Sequence, residues 1–111
     1  MKIDKETQEK LQELQIIEQN LQNFSLQKQA FQLELNETES ALEETKKAPD
    51  ELYKIVGQIM IKGKKEEILK ELDEKKNVLF LRLKSIEKQE NLLKERADKL
   101  KQEIEEKFKG K

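Results

Sequence analysis

Residues 53–64 read YKIVGQIMIKGK. This β-branched, apolar stretch lies at the midpoint of a 111-residue chain in which 42% of residues are charged. Val, Ile and Tyr at such density favour extended backbone. Residues 52–56 and 59–62 therefore read as strands, with Gly57-Gln58 between them as a two-residue turn of the type II′ pattern, glycine first. A turn shifted by one residue also fits. A helix running through is the alternative, and Pro49, Gly57 and Gly63 within fifteen residues argue against it.

Helical spacing begins on either side. Before the centre, Leu14, Ile17, Leu21, Phe24, Lys28, Phe31, Leu35, Thr38, Leu42 and Thr45 alternate by three and four, and seven of the ten are large and apolar. That is a heptad seam. It starts near Asp4 or Thr7, either a suitable N-cap, and stops before Ala48-Pro49 because proline disfavours helix in its predecessor. After the centre, Leu69, Leu72, Lys76, Leu79, Leu83, Ile86, Glu90, Leu93, Ala97, Leu100 and Ile104 repeat the pattern, nine of eleven apolar. Glu66/Lys70, Glu71/Lys75, Glu90/Lys94, Glu95/Lys99 and Glu103/Lys107 are spaced to pair along this helix, each adding ~0.3 kcal/mol.

The expected fold is mainly α: two long helices forming an antiparallel coiled coil, joined by a central β-hairpin. A single domain over 1–111 is expected, with a helix over 4–47, a hairpin over 52–62 and a helix over 64–108. Residues 1–48 carry 6 basic and 10 acidic side chains, net −4; residues 62–111 carry 16 and 12, net +4. Opposite signs suit pairing of the two helices better than binding of a polyanion. The chain has no Cys and no His, so thiolate chemistry and the usual neutral-pH base are missing. Catalytic, cofactor-binding and metal-ligating residues are therefore assigned to none of the positions. With no apolar run of membrane-spanning length, the chain reads as soluble and cytoplasmic.

A two-stranded hairpin alone is marginal in water. This one would also display Tyr53, Ile55, Val56, Gly57, Ile59, Met60 and Ile61 beside two unpaired edges, which other chains must cover. The centre is thus an assembly module, and the helical pair an arm.

The order of elements resembles the beta subunits of archaeal prefoldin. SLQKQAFQLELNETESALEE in the first helix, ELYKIVGQIMIK at the hairpin and ELDEKKNVLFLRLKSIEKQE in the second helix carry the resemblance. Alpha subunits of that family have two hairpins, and this chain has room for one. The resemblance implies a hexamer of two alpha and four beta subunits whose hairpins form an intersubunit β-barrel. It implies a chaperone that holds unfolded proteins between its arm tips without ATP and passes them to a group II chaperonin.

On that view the arm tip binds clients. The seam weakens at Thr7, Lys10 and Lys107, so the tip is expected to fray and leave Ile3, Leu11, Leu14, Ile104 and Phe108 partly uncovered. Each of these also fits ordinary coiled-coil core at the end of its helix. A contact of ~200 Å² at one tip is worth about 5 kcal/mol before ordering costs, so several tips must act together. Lys107, Lys109 and Lys111 are candidate chaperonin contacts by resemblance, or simply a solubilising tail. Val78, Phe80 and Leu81 lie off the seam, where local packing or a contact between subunits is expected ahead of a client-binding patch. Two other roles remain: a purely structural coiled coil, which has no need of the hairpin, and an RNA-binding helical arm, which needs an uncompensated basic stripe.

Overall fold

The computed structural model describes residues 3–109. Helix α1 spans Lys5–Lys47, strand β1 Glu51–Val56, strand β2 Ile59–Lys64 and helix α2 Lys65–Lys109. The strands extend one residue earlier and two later than the apolar pattern alone marks, because Glu51 and Lys64 complete the ladder as a facing pair.

Side chains set where α1 begins and ends. Asp4 is the N-cap: its Oδ1 accepts from the Thr7 backbone N–H at 2.8 Å, and its carbonyl accepts from Gln8 N–H at 3.0 Å. At the other end, Lys65 Nζ donates to the carbonyls of Lys46 and Ala48, each at 2.9 Å. A cation thus satisfies carbonyls that the finished helix leaves open.

The chain divides into two compact units, Met1–Gln29 with Lys84–Lys111, and Ala30–Leu83. In the first, buried Ile17, Ala97 and Leu100 form a core joined by Leu14, Leu21 and Leu93. In the second, buried Leu35, Leu79 and Leu83 pack with Phe31, and the Arg82 guanidinium lies 5.8 Å from the Phe31 ring centroid. In each unit α1 and α2 segments run antiparallel. All ten α1 seam positions and all eleven α2 seam positions are buried or half-buried.

Two threonines in the α1 seam find internal partners. Thr38 Oγ1 donates to the Glu34 carbonyl at 2.8 Å and Thr45 Oγ1 to that of Ala41 at 2.6 Å. Bonding back by four residues leaves their methyl groups for the seam and no hydroxyl orphaned.

None of the five along-helix pairs expected on α2 forms among the described residues. Five of their ten members reach elsewhere: Glu71 to Lys54, Lys75 to Glu34, Glu90 to Lys28, Glu103 to Lys10 and Lys107 to Asp4. Opposite charge on the facing element offers the alternative partner, and exposed pairs of either kind are weak enough to exchange.

Candidate functional site

The hairpin belongs to the second unit. β1 and β2 pair antiparallel from Glu51↔Lys64 to Val56↔Ile59. Gly57, at φ +63°, supplies the left-handed first turn residue, and no non-glycine residue among the described residues has positive φ. This matches the II′ pattern. The sheet has these two strands alone among the described residues, so each strand keeps one edge without a neighbour.

Register separates two faces. Tyr53 and Ile55 on β1 stand opposite Lys62 and Met60 on β2. Their face is open: Tyr53, Ile55 and Met60 are 61%, 72% and 65% exposed. The other face carries Leu52, Lys54 and Val56 opposite Gly63, Ile61 and Ile59. Its base rests against the start of α2. Leu52, Lys54 and Gly63 are half-buried, and a Cβ on Gly63 would stand 2.9 Å from Ile68 Cδ1. Lys54 Nζ donates to both carboxylate oxygens of Glu71 at 3.2 Å. Val56, Ile59 and Ile61 remain exposed. Gly63 breaks the helical pattern in the sequence, but its structural use is this close approach to Ile68. Lys54, Glu71 and Ile68, which seat the hairpin, escaped the sequence reading because no periodicity links a strand to the helix after it.

The helix ends belong to the first unit, and among the five expected tip residues they correct the expectation for Ile104, which is covered. Thr7 is buried, so the seam continues through it, and Ile104 is buried as well. Leu11 and Leu14 are half-buried, while Ile3 and Phe108 are exposed. Ion pairs cross between the helix segments at this end. Lys107 Nζ lies 2.7 Å from Asp4 Oδ2, and Lys10 lies 3.2 Å from Glu103 and 3.5 Å from Glu6. Lys10 and Lys107, read as breaks in the seam, instead pair across it with carboxylates of the facing helix segment.

The Lys107 ammonium, followed by the hydrogen bonds to Thr7, holds the Asp4 carboxyl far below the usual carboxylate range. Asp4 in turn raises Lys107, and Glu103 raises Lys10. Farther along, Arg96 grips Glu13 through two bonds of 2.9 and 3.0 Å and lowers its pKa. Lys109 is exposed. Lys111 lies outside the described residues.

Lys28 and Glu90, the polar interruptions of the two seams, meet at 2.9 Å. Glu90 is buried and Lys28 half-buried, and the Glu90 carboxylate raises the Lys28 pKa. Such a pair forms in one alignment of the helices, which is how a polar seam residue specifies register. Val78 and Leu81 are exposed, as is half of Phe80. No group of three or more metal-ligating side chains converges among the described residues. No described helix is long and apolar enough to cross a membrane.

The family model for prefoldin subunits matches residues 8–111. Prefoldin subunit beta of Sulfurisphaera tokodaii is 44% identical over 55 residues, half of this chain and 44% of that one. Its counterpart in Archaeoglobus fulgidus is 43% identical over 53 residues, 48% of this chain and 46% of that one. These matches thus span less than half the length of the curated relatives. The crystal structure of the prefoldin beta subunit from Thermococcus strain KS-1 aligns far more fully, with 38% identity, a TM-score of 0.85, and 93% of this chain and 92% of that one covered. Helix, single hairpin and helix in this order, matched along nearly the whole chain, make it a member of the prefoldin subunit family, of the beta type.

Proposed function

We propose that this chain is a beta-type subunit of an ATP-independent holding chaperone, assembling as four copies with two alpha subunits in the cytoplasm. The hairpins join into a shared β-barrel. The helix ends hold unfolded polypeptides and deliver them to a group II chaperonin. One observation carries this reading: a hairpin with two unpaired edges and an open apolar face of Tyr53, Ile55 and Met60. Such a surface is an aggregation hazard unless partner strands cover it.

At the helix ends, Ile3 and Phe108 present apolar surface, flanked by half-buried Leu11 and Leu14. Two residues give weak contact, so holding depends on several subunits acting on one client. Lys109 is available to steer a partner by charge, with Lys111 beside it in the sequence; Lys107 would first have to leave Asp4. Native mass spectrometry of the chain alone and mixed with an alpha-type subunit tests the assembly. A hexamer confined to the mixture is expected, and that mixture should suppress aggregation of an unfolded protein without ATP. A monomer under both conditions overturns the reading.

A further inference from the structure

The hairpin joins α2 without a spacer, since β2 ends at Lys64 and α2 begins at Lys65. Contacts around that junction therefore set the direction in which the hairpin leaves the helix. Lys65 Nζ, bonded to the carbonyls of Lys46 and Ala48 at 2.9 Å each, ties the end of α1 to the start of α2. Gly63 backs onto Ile68 so closely that a Cβ would stand 2.9 Å from Cδ1 and 3.3 Å from Cγ1. Farther along the same sheet face, Lys54 Nζ reaches both carboxylate oxygens of Glu71 at 3.2 Å. Gly63 is opposite Leu52, two residues before Lys54, so the two contacts lie about 7 Å apart along the strands. Ile68 and Glu71, three residues apart, share a face of α2. The hairpin thus rests on α2 at two points, and two points fix a tilt where one does not.

We infer that Gly63 and Ile68, braced by Lys54 with Glu71, are positioning residues for assembly: they set the tilt of the hairpin on α2 and so aim its open edges at the neighbouring subunit. The inference rests on the assembly reading and names the residues that make it work. In a ladder closed by a two-residue turn, the pair beside the turn bonds inward and alternate pairs turn outward. Tyr53, Ile55, Met60 and Lys62 therefore hold the backbone groups left for a partner strand. Those N–H···O bonds form over a donor–acceptor range of only about 0.5 Å. A Cβ at position 63 would use up that tolerance. Turning χ2 of Ile68 moves Cδ1 away but leaves Cγ1, whose place follows χ1, and a β-branched side chain in a helix has one strongly preferred χ1. The backbone of β2 must give instead, and the paired strands carry the displacement to their edges. Glycine inside a strand weakens it, and Gly63 does not have the positive φ that Gly57 has. Close approach to α2 is what the position uses.

The test titrates the full chain with an alpha-type subunit and reads the mixed hexamer by native mass spectrometry. Gly63→Ala should weaken assembly several-fold, while the helical circular dichroism and melting temperature of the chain alone stay at wild-type values. Moving the bulk across the contact, with Gly63→Ala and Ile68→Ala together, should recover most of that loss. Undiminished assembly by Gly63→Ala overturns the inference and leaves the assembly reading standing, as does a loss that the second substitution fails to recover. A melting temperature that falls in step with assembly also overturns it, because the contact would then serve stability alone. If the wild-type chain forms no mixed hexamer, both readings fail. For the brace, Lys54→Gln and Glu71→Gln should each weaken assembly about twofold, and the double variant no further, because an exposed pair is worth little and acts as a unit. Losses that multiply in the double variant overturn the brace.

Discussion

The hairpin and the helix ends treat apolar side chains in opposite ways. At the hairpin, Tyr53, Ile55 and Met60 stand open on one face of a two-stranded sheet. At the helix ends, Ile104 and Thr7 are buried, and the end is closed by Asp4 with Lys107 and Lys10 with Glu103. A two-stranded sheet has no second layer to cover its outer face, whereas each helix has a facing helix. One region therefore needs a partner, and the other covers Ile104 itself while leaving Ile3 and Phe108 exposed. Exposed surface that costs stability persists where binding uses it.

The strongest way to break this contrast is at the hairpin. Ile55→Glu with Met60→Glu should abolish the hexamer in native mass spectra of the mixed subunits, while the helical circular dichroism of the isolated chain stays the same. Loss of helix as well would mean that the hairpin's open face supports the chain's own fold. Next comes the core of the first unit. Leu100 is fully buried at 0%, so Leu100→Ala should destabilise by about 3 kcal/mol, read by urea titration, with assembly through the hairpin retained under native conditions.

Gly57→Ala sharpens the comparison from the backbone side. Nothing lies within 4 Å of an added Cβ there, so the effect comes from positive φ alone, about 1 kcal/mol. It should appear as weakened assembly with a core melting temperature close to wild type.

The smallest effect concerns the charged clasp. Asp4 ionises far below its ordinary value of 3.8 and Glu13 below 4.5. The contribution of such a lowered group is whole above the unfolded pKa and fades as pH falls through the folded one. The advantage of wild type over Asp4→Asn should therefore be constant near neutrality and shrink in acid below about pH 4. Lys10, Lys28 and Lys107 are raised from 10.5, so their contributions persist to that pH and fade above it. Melting curves of the two proteins across pH test both limbs. An advantage that does not change with pH would assign Asp4's role to shape rather than charge.

Much of this architecture is legible in the chain. The alternation of three and four places every seam residue from Leu14 to Thr45 and from Leu69 to Ile104, because burial of one helix face repeats with the backbone's own period. Gly57-Gln58 announces its turn because only glycine takes the first position without strain. The clasp was misread for an equally physical reason. Lys10 and Lys107 look like breaks in a seam when each helix is taken alone. Their partners Glu103 and Asp4 lie more than ninety residues away in the chain, and no local pattern announces them.

By itself the sequence determined which segments are helix and strand, which face of each helix is apolar and where the chain turns. Local sterics and the period of burial act through near neighbours, so these features are written locally. Tertiary structure alone decided which charges meet, that Gly63 makes room for Ile68, that Lys28 answers Glu90, and that the helix ends close over Ile104. Those outcomes depend on which atoms from distant parts of the chain come within a few ångströms of each other, a distance that spacing along one helix does not encode.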